Sequence, residues 1–148
     1  MKLNKLKTAG PHPKWCGPSA LSILTGRSVN HCARLIAKER NRQGYWRNGR
    51  GTSKQVKGTY TTELSRALHK MKFSMVRVKV PRGKTLRAYM AGRGGKEWRG
   101  NMLLEVTRHY VAVNRDLVSD NHSQDDHYTD HPMKRKIVRD GWLIERVR

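Results

Sequence analysis

The sequence is poor in acidic residues, aromatic rings and cysteine. Its 148 residues include 11 Asp or Glu against 32 Lys or Arg, one Phe and two Cys. Two cysteines cannot form a disulfide framework, so each thiol needs its own explanation. No apolar run approaches the ~18 residues of a transmembrane helix, and the start of the chain lacks the apolar stretch of a secretory signal. We therefore expect a cytoplasmic protein that does not associate with membranes.

The length is that of a single domain, 1–148, with enough apolar residues for one core. Helix signals dominate its first half and alternating strand signals its last third, which predicts an α+β fold with a mainly antiparallel sheet. We expect a basic extended lead-in at 1–14, a basic exposed loop at 41–58 and further loops at 92–100 and 121–136. The predicted helices cover 18–25, 28–40, 61–71 and 85–91, and the predicted strands cover 73–80, 102–106, 109–113, 117–119 and 142–147.

The positive charge is unevenly distributed along the chain. Residues 1–104 contain 24 Lys or Arg and 3 Asp or Glu, whereas residues 105–148 contain eight of each. Such a field attracts polyanions. The charge therefore predicts non-specific nucleic-acid binding through residues 1–104, with a solvated basic surface as the alternative. The sequence contains no zinc-finger, basic-zipper or RNP motif that would predict sequence-specific recognition.

Three residues form a candidate nucleophilic site. Cys16 precedes Gly17-Pro18 at a predicted helix start, where the helix dipole stabilises a thiolate. His109 begins an apolar strand, and Asp120 follows one hairpin later, so the hairpin can return the carboxylate to the imidazole. A nucleophile, a base and a group that orients the base are the three parts of a thiol acyl-transfer site.

Three segments in this order resemble the papain-like cysteine peptidase superfamily, in the compact form of the bacteriocin-processing peptidases. They are Cys16-Gly17-Pro18-Ser19-Ala20-Leu21, His109-Tyr110-Val111-Ala112-Val113 and Val118-Ser119-Asp120-Asn121. The resemblance spans about residues 15–147. It implies a papain-like fold in which the N-terminal helices pack on the C-terminal sheet, with a cleft between the Cys helix and the sheet. It also implies a catalytic Cys16, His109 as general base and Asp120 as orienting residue, with Asn121 as a substitute.

The function implied by the resemblance is hydrolysis of an amide or isopeptide bond in a protein or peptide substrate, without cofactor or metal. Compact relatives of this kind resemble bacteriophage gene products, which would place the protein in a host cytoplasm or in a virion. The family usually carries a Gln about six residues before the Cys as an oxyanion donor, and here that position is Gly10, with Asn4, His12 and the Cys16 backbone N–H as replacements. The alternative function is an inactive papain-like scaffold that binds nucleic acid or takes part in virion assembly.

The remaining cysteine and the C-terminal histidines suggest weaker alternatives. Cys32 lies beside apolar residues of the second predicted helix and is interpreted as a small core residue. The last third contains a polar stretch with several potential metal ligands, but their spacing matches no closed zinc motif. We expect these histidines to be loop residues, and the stretch contains His122, Asp125, Asp126, His127, Asp130 and His131.

Overall fold

The structure is a computed structural model that describes residues 2–7, 16–42 and 59–147. The predicted loop 41–58 falls outside these residues except for 41 and 42, which end a helix, and residues 8–14 of the predicted lead-in also fall outside. Residues 2–7 have no regular secondary structure, and two backbone hydrogen bonds, Asn4 to Ile23 and Val29 to Lys7, attach them to the helices. None of the helices in the described residues has the length and apolar character needed to cross a membrane.

Three helices come first and form one layer. Gly26, at φ +80°, supplies the left-handed residue that ends the first helix, and the Ser28 hydroxyl accepts the backbone N–H of His31 to cap the second. The third helix places Leu64 and Leu68 on its buried side, as its apolar spacing predicts. The bounds are α1 Cys16–Thr25, α2 Val29–Arg42 and α3 Thr61–Lys70.

An antiparallel sheet of six strands forms the centre of the described residues. Its order is β1-β6-β2-β3-β4-β5, so β1 and β5 are the edges. Tight turns at Arg108 and Arg115, both with positive φ, connect β2 to β3 and β3 to β4. The strands are β1 Phe73–Val78, β2 Asn101–Val106, β3 His109–Asn114, β4 Leu117–Ser119, β5 Asp126–His127 and β6 Val138–Arg146. Two short helices, α4 Leu86–Gly92 and α5 Gly95–Arg99, lie between β1 and β2.

Both faces of the sheet are covered by apolar packing, because alternate residues of its central strands point to opposite sides. In β3, Tyr110 and Ala112 pack with α1, α2 and α3 in one core cluster. Val111 and Val113 pack instead with α4 in a second cluster. Alternate residues of β3 therefore contribute to two different cores on the two faces of the sheet.

The prediction of an α+β fold with N-terminal helices and an antiparallel C-terminal sheet is confirmed. Three details of it are wrong. The predicted loop 92–100 contains α5, the predicted loop 121–136 contains the short strand β5, and β6 begins at Val138 rather than at Trp142. Asp140-Gly141 looks like a turn in the sequence. The strand continues through both residues, and the missing side chain of Gly141 leaves room for close packing, since a Cβ there would lie 2.9 Å from the end of the Leu104 side chain.

Candidate active site

The β3–β4 hairpin brings His109 and Asp120 together at one end of the sheet. Ala112 pairs with Ser119, so Asp120 continues the strand to a position beside Val111, diagonally across from His109. Nε2 of His109 lies 2.8 Å from Oδ2 of Asp120, and both side chains are almost fully buried. The carboxylate therefore fixes one nitrogen of the imidazole and leaves Nδ1 for another partner.

Cys16 is the candidate partner for Nδ1 of His109. It is the first residue of α1, which packs against β3, and its side chain is half-buried. Burial raises the pKa of the Cys16 thiol, but a hydrogen bond with His109, the backbone N–H of Tyr110 and the positive charge of His109 outweigh burial. The pKa of Cys16 consequently lies below its ordinary value, as a nucleophilic thiol requires.

The electrostatics of His109 complement those of the thiol. Burial lowers the pKa of His109, but hydrogen bonds with Asp120 and Cys16, together with their negative charges, raise it to about 9. The imidazolium of His109 and the lowered pKa of Cys16 thus both favour the thiolate form of Cys16. This is the charge state in which a cysteine acts as a nucleophile without a separate deprotonation step.

Asp120 is held by more hydrogen bonds than any other side chain of the site. Its Oδ1 accepts the backbone N–H groups of His122 and Ser123 at 2.8 and 2.9 Å, while Oδ2 faces His109. Burial raises the pKa of Asp120, but the hydrogen bond with His109, the close contact with His131 and the backbone N–H of His122 hold it well below its ordinary value. The group facing His109 is therefore a carboxylate throughout the physiological range.

His131 is a member of the site that sequence reasoning missed. It was expected to be a loop histidine, but it is fully buried, and its Nε2 lies 3.2 Å from Oδ2 of Asp120. This contact is within ion-pair distance but lacks the geometry of a directed hydrogen bond. Pro132 follows His131 and an apolar Met133 comes next, a context that favours a fixed turn over a freely solvated loop.

Close contact with residues 59–61 shapes the wall of the site beside Cys16. A Cβ on Gly17 would lie 2.5 Å from Oγ1 of Thr59, so the residue after the nucleophile has to be glycine for this approach. The Tyr110 hydroxyl lies 3.0 Å from Oγ1 of Thr61 and donates to the Thr59 carbonyl oxygen at 3.3 Å. These contacts attach the start of α3 to β3 next to the thiol.

The other sequence candidates are placed as follows. Of the two orienting candidates, Asp120 and Asn121, it is Asp120 that lies 2.8 Å from Nε2 of His109, and the His122 ring stacks on His109 with 6.1 Å between centroids. Asn4 donates its side-chain amide to the carbonyl oxygen of Ile23, away from the start of α1, so it does not replace the missing glutamine. Gly10 and His12 lie outside the described residues.

The last candidates are Cys32 and the potential metal ligands of residues 122–131. Cys32 is fully buried in the first core, and burial raises the pKa of its thiol to about 12. Within the described residues, no group of three or more His, Cys, Asp or Glu side chains is arranged to hold a metal ion.

Comparison with known proteins gives no family for the chain. No protein-family model matches it, and no curated protein shows significant sequence similarity to it.

Proposed function

We propose that the protein is a cysteine hydrolase with a compact papain-like fold that acts on an amide or isopeptide bond of a protein or peptide. The observation that carries the proposal is the placement of His109 between the Cys16 thiol and the Asp120 carboxylate. The order in the chain supports it as well: a cysteine at a helix start, a histidine at the start of a strand and an aspartate after the next strand.

The reaction begins with attack of the Cys16 thiolate on the carbonyl carbon. The C–S bond forms as the C–N bond breaks, and the imidazolium of His109 gives its proton to the leaving amine. Neutral His109 then takes a proton from water, whose oxygen attacks the thioester, and the acid product leaves while the thiolate is restored. Asp120 keeps the ring oriented and stabilises its positive charge in both steps without itself accepting a proton.

The helix start contributes to both charged species of this cycle. The partial positive charge at the N-terminus of α1 stabilises the thiolate, and it also stabilises the oxyanion that forms on the attacked carbonyl. Gly17 adds its backbone N–H to the stabilisation of the thiolate. The absence of a side chain on Gly17 also keeps the contact with Thr59 close.

The test is the pH dependence of alkylation of the two cysteines, measured by mass spectrometry on the intact chain. Iodoacetamide is expected to modify Cys16 rapidly near pH 6–7 and to leave Cys32 unmodified, because the pKa of Cys32 is raised to about 12 by burial. His109→Ala should slow the reaction of Cys16 near pH 6–7 and so reduce the difference between the two cysteines. Equally slow reaction of both cysteines in the wild type would reject the assembled site.

Turnover is tested separately with a peptide library digested by the wild type, Cys16→Ala and Cys32→Ala. Cleavage that disappears only in Cys16→Ala supports a hydrolase. A reactive Cys16 without any turnover, toward peptides or toward isopeptide-linked substrates, would favour the alternative of a papain-like scaffold used for binding.

A further inference from the structure

Two distant segments of the chain form one basic surface beside strand β1. The backbone N–H groups of Leu86 and Arg87 donate to the carbonyl oxygens of Lys136 and Lys134, and Val138 donates to Lys84. These hydrogen bonds place residues 79–87 directly against residues 134–139. The cations of the two segments, which we call the basic surface, are Lys79, Arg82, Lys84, Arg87, Lys134, Arg135, Lys136 and Arg139.

The charge of this surface is not neutralised by the protein. All eight side chains are exposed except that of Lys134, which is half-buried, and none forms an ion pair with a described residue. The two segments contain no acidic residue. The adjacent Asp140 pairs with Arg77 at 3.0 Å, and Glu105, opposite Asp140 on β2, is close enough to interact with the charge of Arg139. Eight like charges so close together repel one another and reduce the stability of the folded state. The stability of the fold therefore does not explain the surface.

Two concavities open on this surface, and Lys79 lines both. One has a volume of about 380 Å³ and is also lined by Arg77 and Arg139. The other, of about 150 Å³, is also lined by Lys84 and Arg93. Each contains one acidic residue, Asp140 or Glu97, so cations predominate in both. Three of the eight cations, Lys79, Lys84 and Arg139, therefore line recesses large enough for single anionic groups.

The chemistry of the surface favours a nucleic acid over an acidic protein. Protein interfaces have an apolar centre enriched in aromatic residues, and residues 79–87 and 134–139 present no exposed aromatic ring. Interfaces with nucleic acids are polar and strongly positive, and phosphate contacts supply most of their affinity. Without rings for base stacking, the surface suits the regularly spaced phosphates of a duplex better than unpaired bases.

We propose that the basic surface binds the phosphate backbone of a double-stranded nucleic acid without regard to base sequence. The sequence analysis predicted nucleic-acid binding through residues 1–104, whereas the basic surface also includes residues 134–139. Four of the eight cations belong to the last third of the chain, whose net charge is zero because most of its acids lie elsewhere. Five of these acids lie within or close to β4 and β5, at the opposite edge of the sheet: Asp116, Asp120, Asp125, Asp126 and Asp130. The proposal does not depend on the activity of Cys16.

The experiment measures binding of the full chain to fluorescent 20-bp DNA and RNA duplexes by anisotropy between 50 and 200 mM salt. If six cations meet phosphates, log K should fall against log salt with a slope of about −5. The triple variant Lys84→Gln, Arg87→Gln, Lys136→Gln removes three exposed charges from both segments. It is expected to reduce the steepness of the slope by about 3 and to weaken binding at least tenfold, by about 1.4 kcal/mol or more.

The matched control removes three exposed cations from a different part of the molecule, in the variant Arg27→Gln, Arg34→Gln, Lys38→Gln. This control should retain most of the affinity. Neither variant should melt at a lower temperature than the wild type, and both should keep the wild-type Cys16 alkylation rate. Equal loss in the two triple variants would show that total charge alone matters and would overturn the proposal. Unchanged binding in the first variant would overturn it as well. Binding of polyglutamate with equal or greater affinity than the duplexes would identify an acidic polypeptide as the partner.

Discussion

Nε2 of His131 lies 3.2 Å from Oδ2 of Asp120, the same carboxylate oxygen that Nε2 of His109 approaches at 2.8 Å. Nδ1 of His131 accepts the backbone N–H of Met133 at 3.0 Å, so Nε2 carries a proton, on the side of the ring that faces Asp120. Two imidazoles therefore share one carboxylate oxygen. We interpret His131 as a positioning residue that restricts the orientation in which Asp120 meets His109.

Replacing His131 tests this interpretation. His131→Leu removes the N–H group that faces Asp120 and should slow Cys16 alkylation at pH 6, by about tenfold at most, since even a well-formed hydrogen bond to a charged group contributes on the order of 1.5 kcal/mol. The apparent pKa of Cys16 should rise in the same variant, as read from the pH profile of alkylation. His131→Gln keeps an N–H donor near the position of Nε2 and should recover most of the wild-type profile. A purely structural role predicts that both variants lose stability while the Cys16 profile stays in place.

The pKa of His109 provides a second prediction. Its value of about 9 depends on hydrogen bonds and charges from Asp120 and Cys16, so Asp120→Asn should shift it toward the ordinary value of 6.5. Imidazole resonances followed by NMR from pH 5 to 10 measure this directly. Because the folded-state pKa is raised, protonation of His109 contributes stability that is complete below pH 6.5 and is lost as the pH rises through about 9.

The Cys16→Ser variant is the control for that titration. It removes the contribution of the thiolate and keeps that of Asp120. The pKa of His109 in Cys16→Ser should therefore be lower than in the wild type, but higher than in a double variant that combines Cys16→Ser with Asp120→Asn. A His109 pKa that is the same with and without the Asp120 carboxylate would contradict the hydrogen bond seen in the structure.

Sequence reasoning predicted the elements whose limits or periodicity are visible in a short segment of the chain. Pro18 and Gly26 delimit the region of α1, and the alternation around His109 predicts β3, so the elements that carry Cys16 and His109 were predictable. The length of the hairpin was enough to place Asp120 near His109. His131 was not predictable, because its burial depends on the path of residues 128–137 across the sheet, which no periodicity encodes. The basic surface was missed for the same reason, since averaging charge along the chain cannot show which cations meet in space.

Gly17→Ala probes the close contact between α1 and Thr59. A Cβ at this position would lie 2.5 Å from Oγ1 and 2.8 Å from Cβ of Thr59, so one of the two segments has to move. We expect a loss of about 1–3 kcal/mol in the free energy of unfolding, the usual cost of overpacking, and slower alkylation of Cys16. Denaturant titration and the alkylation assay measure the two effects.

Two further variants separate a specific clash from a general effect of alanine. Gly92→Ala places its Cβ where no heavy atom lies within 4 Å, so it should leave stability unchanged or slightly increased. Combining Gly17→Ala with Thr59→Gly removes the atoms that clash and should recover part of the stability lost by Gly17→Ala alone. If the double variant is as unstable as the sum of the two single ones, Thr59 is not the obstacle.

The ion pair between Arg40 and Glu63 links α2 to α3 and supports the residues next to the nucleophile. Nε and Nη2 of Arg40 contact the carboxylate at 2.6 and 2.7 Å, and Glu63 also accepts the backbone N–H of Tyr60 at 2.9 Å. Glu63 is fully buried, so Arg40→Met leaves a buried carboxylate without its cation and should cost about 3–5 kcal/mol of unfolding free energy. Combining Arg40→Met with Glu63→Met removes both charges and should cost less than Arg40→Met alone, in urea titrations of both variants. A double variant that is less stable than the single one would instead show that the pair makes a net favourable contribution.

The same ion pair affects the nucleophile, because Glu63 binds the backbone N–H of Tyr60, which is next to Thr59. Both variants should therefore also alter the rate at which Cys16 is alkylated. The control is Arg77→Gln, which breaks the exposed ion pair with Asp140 and should change neither the stability nor the alkylation rate.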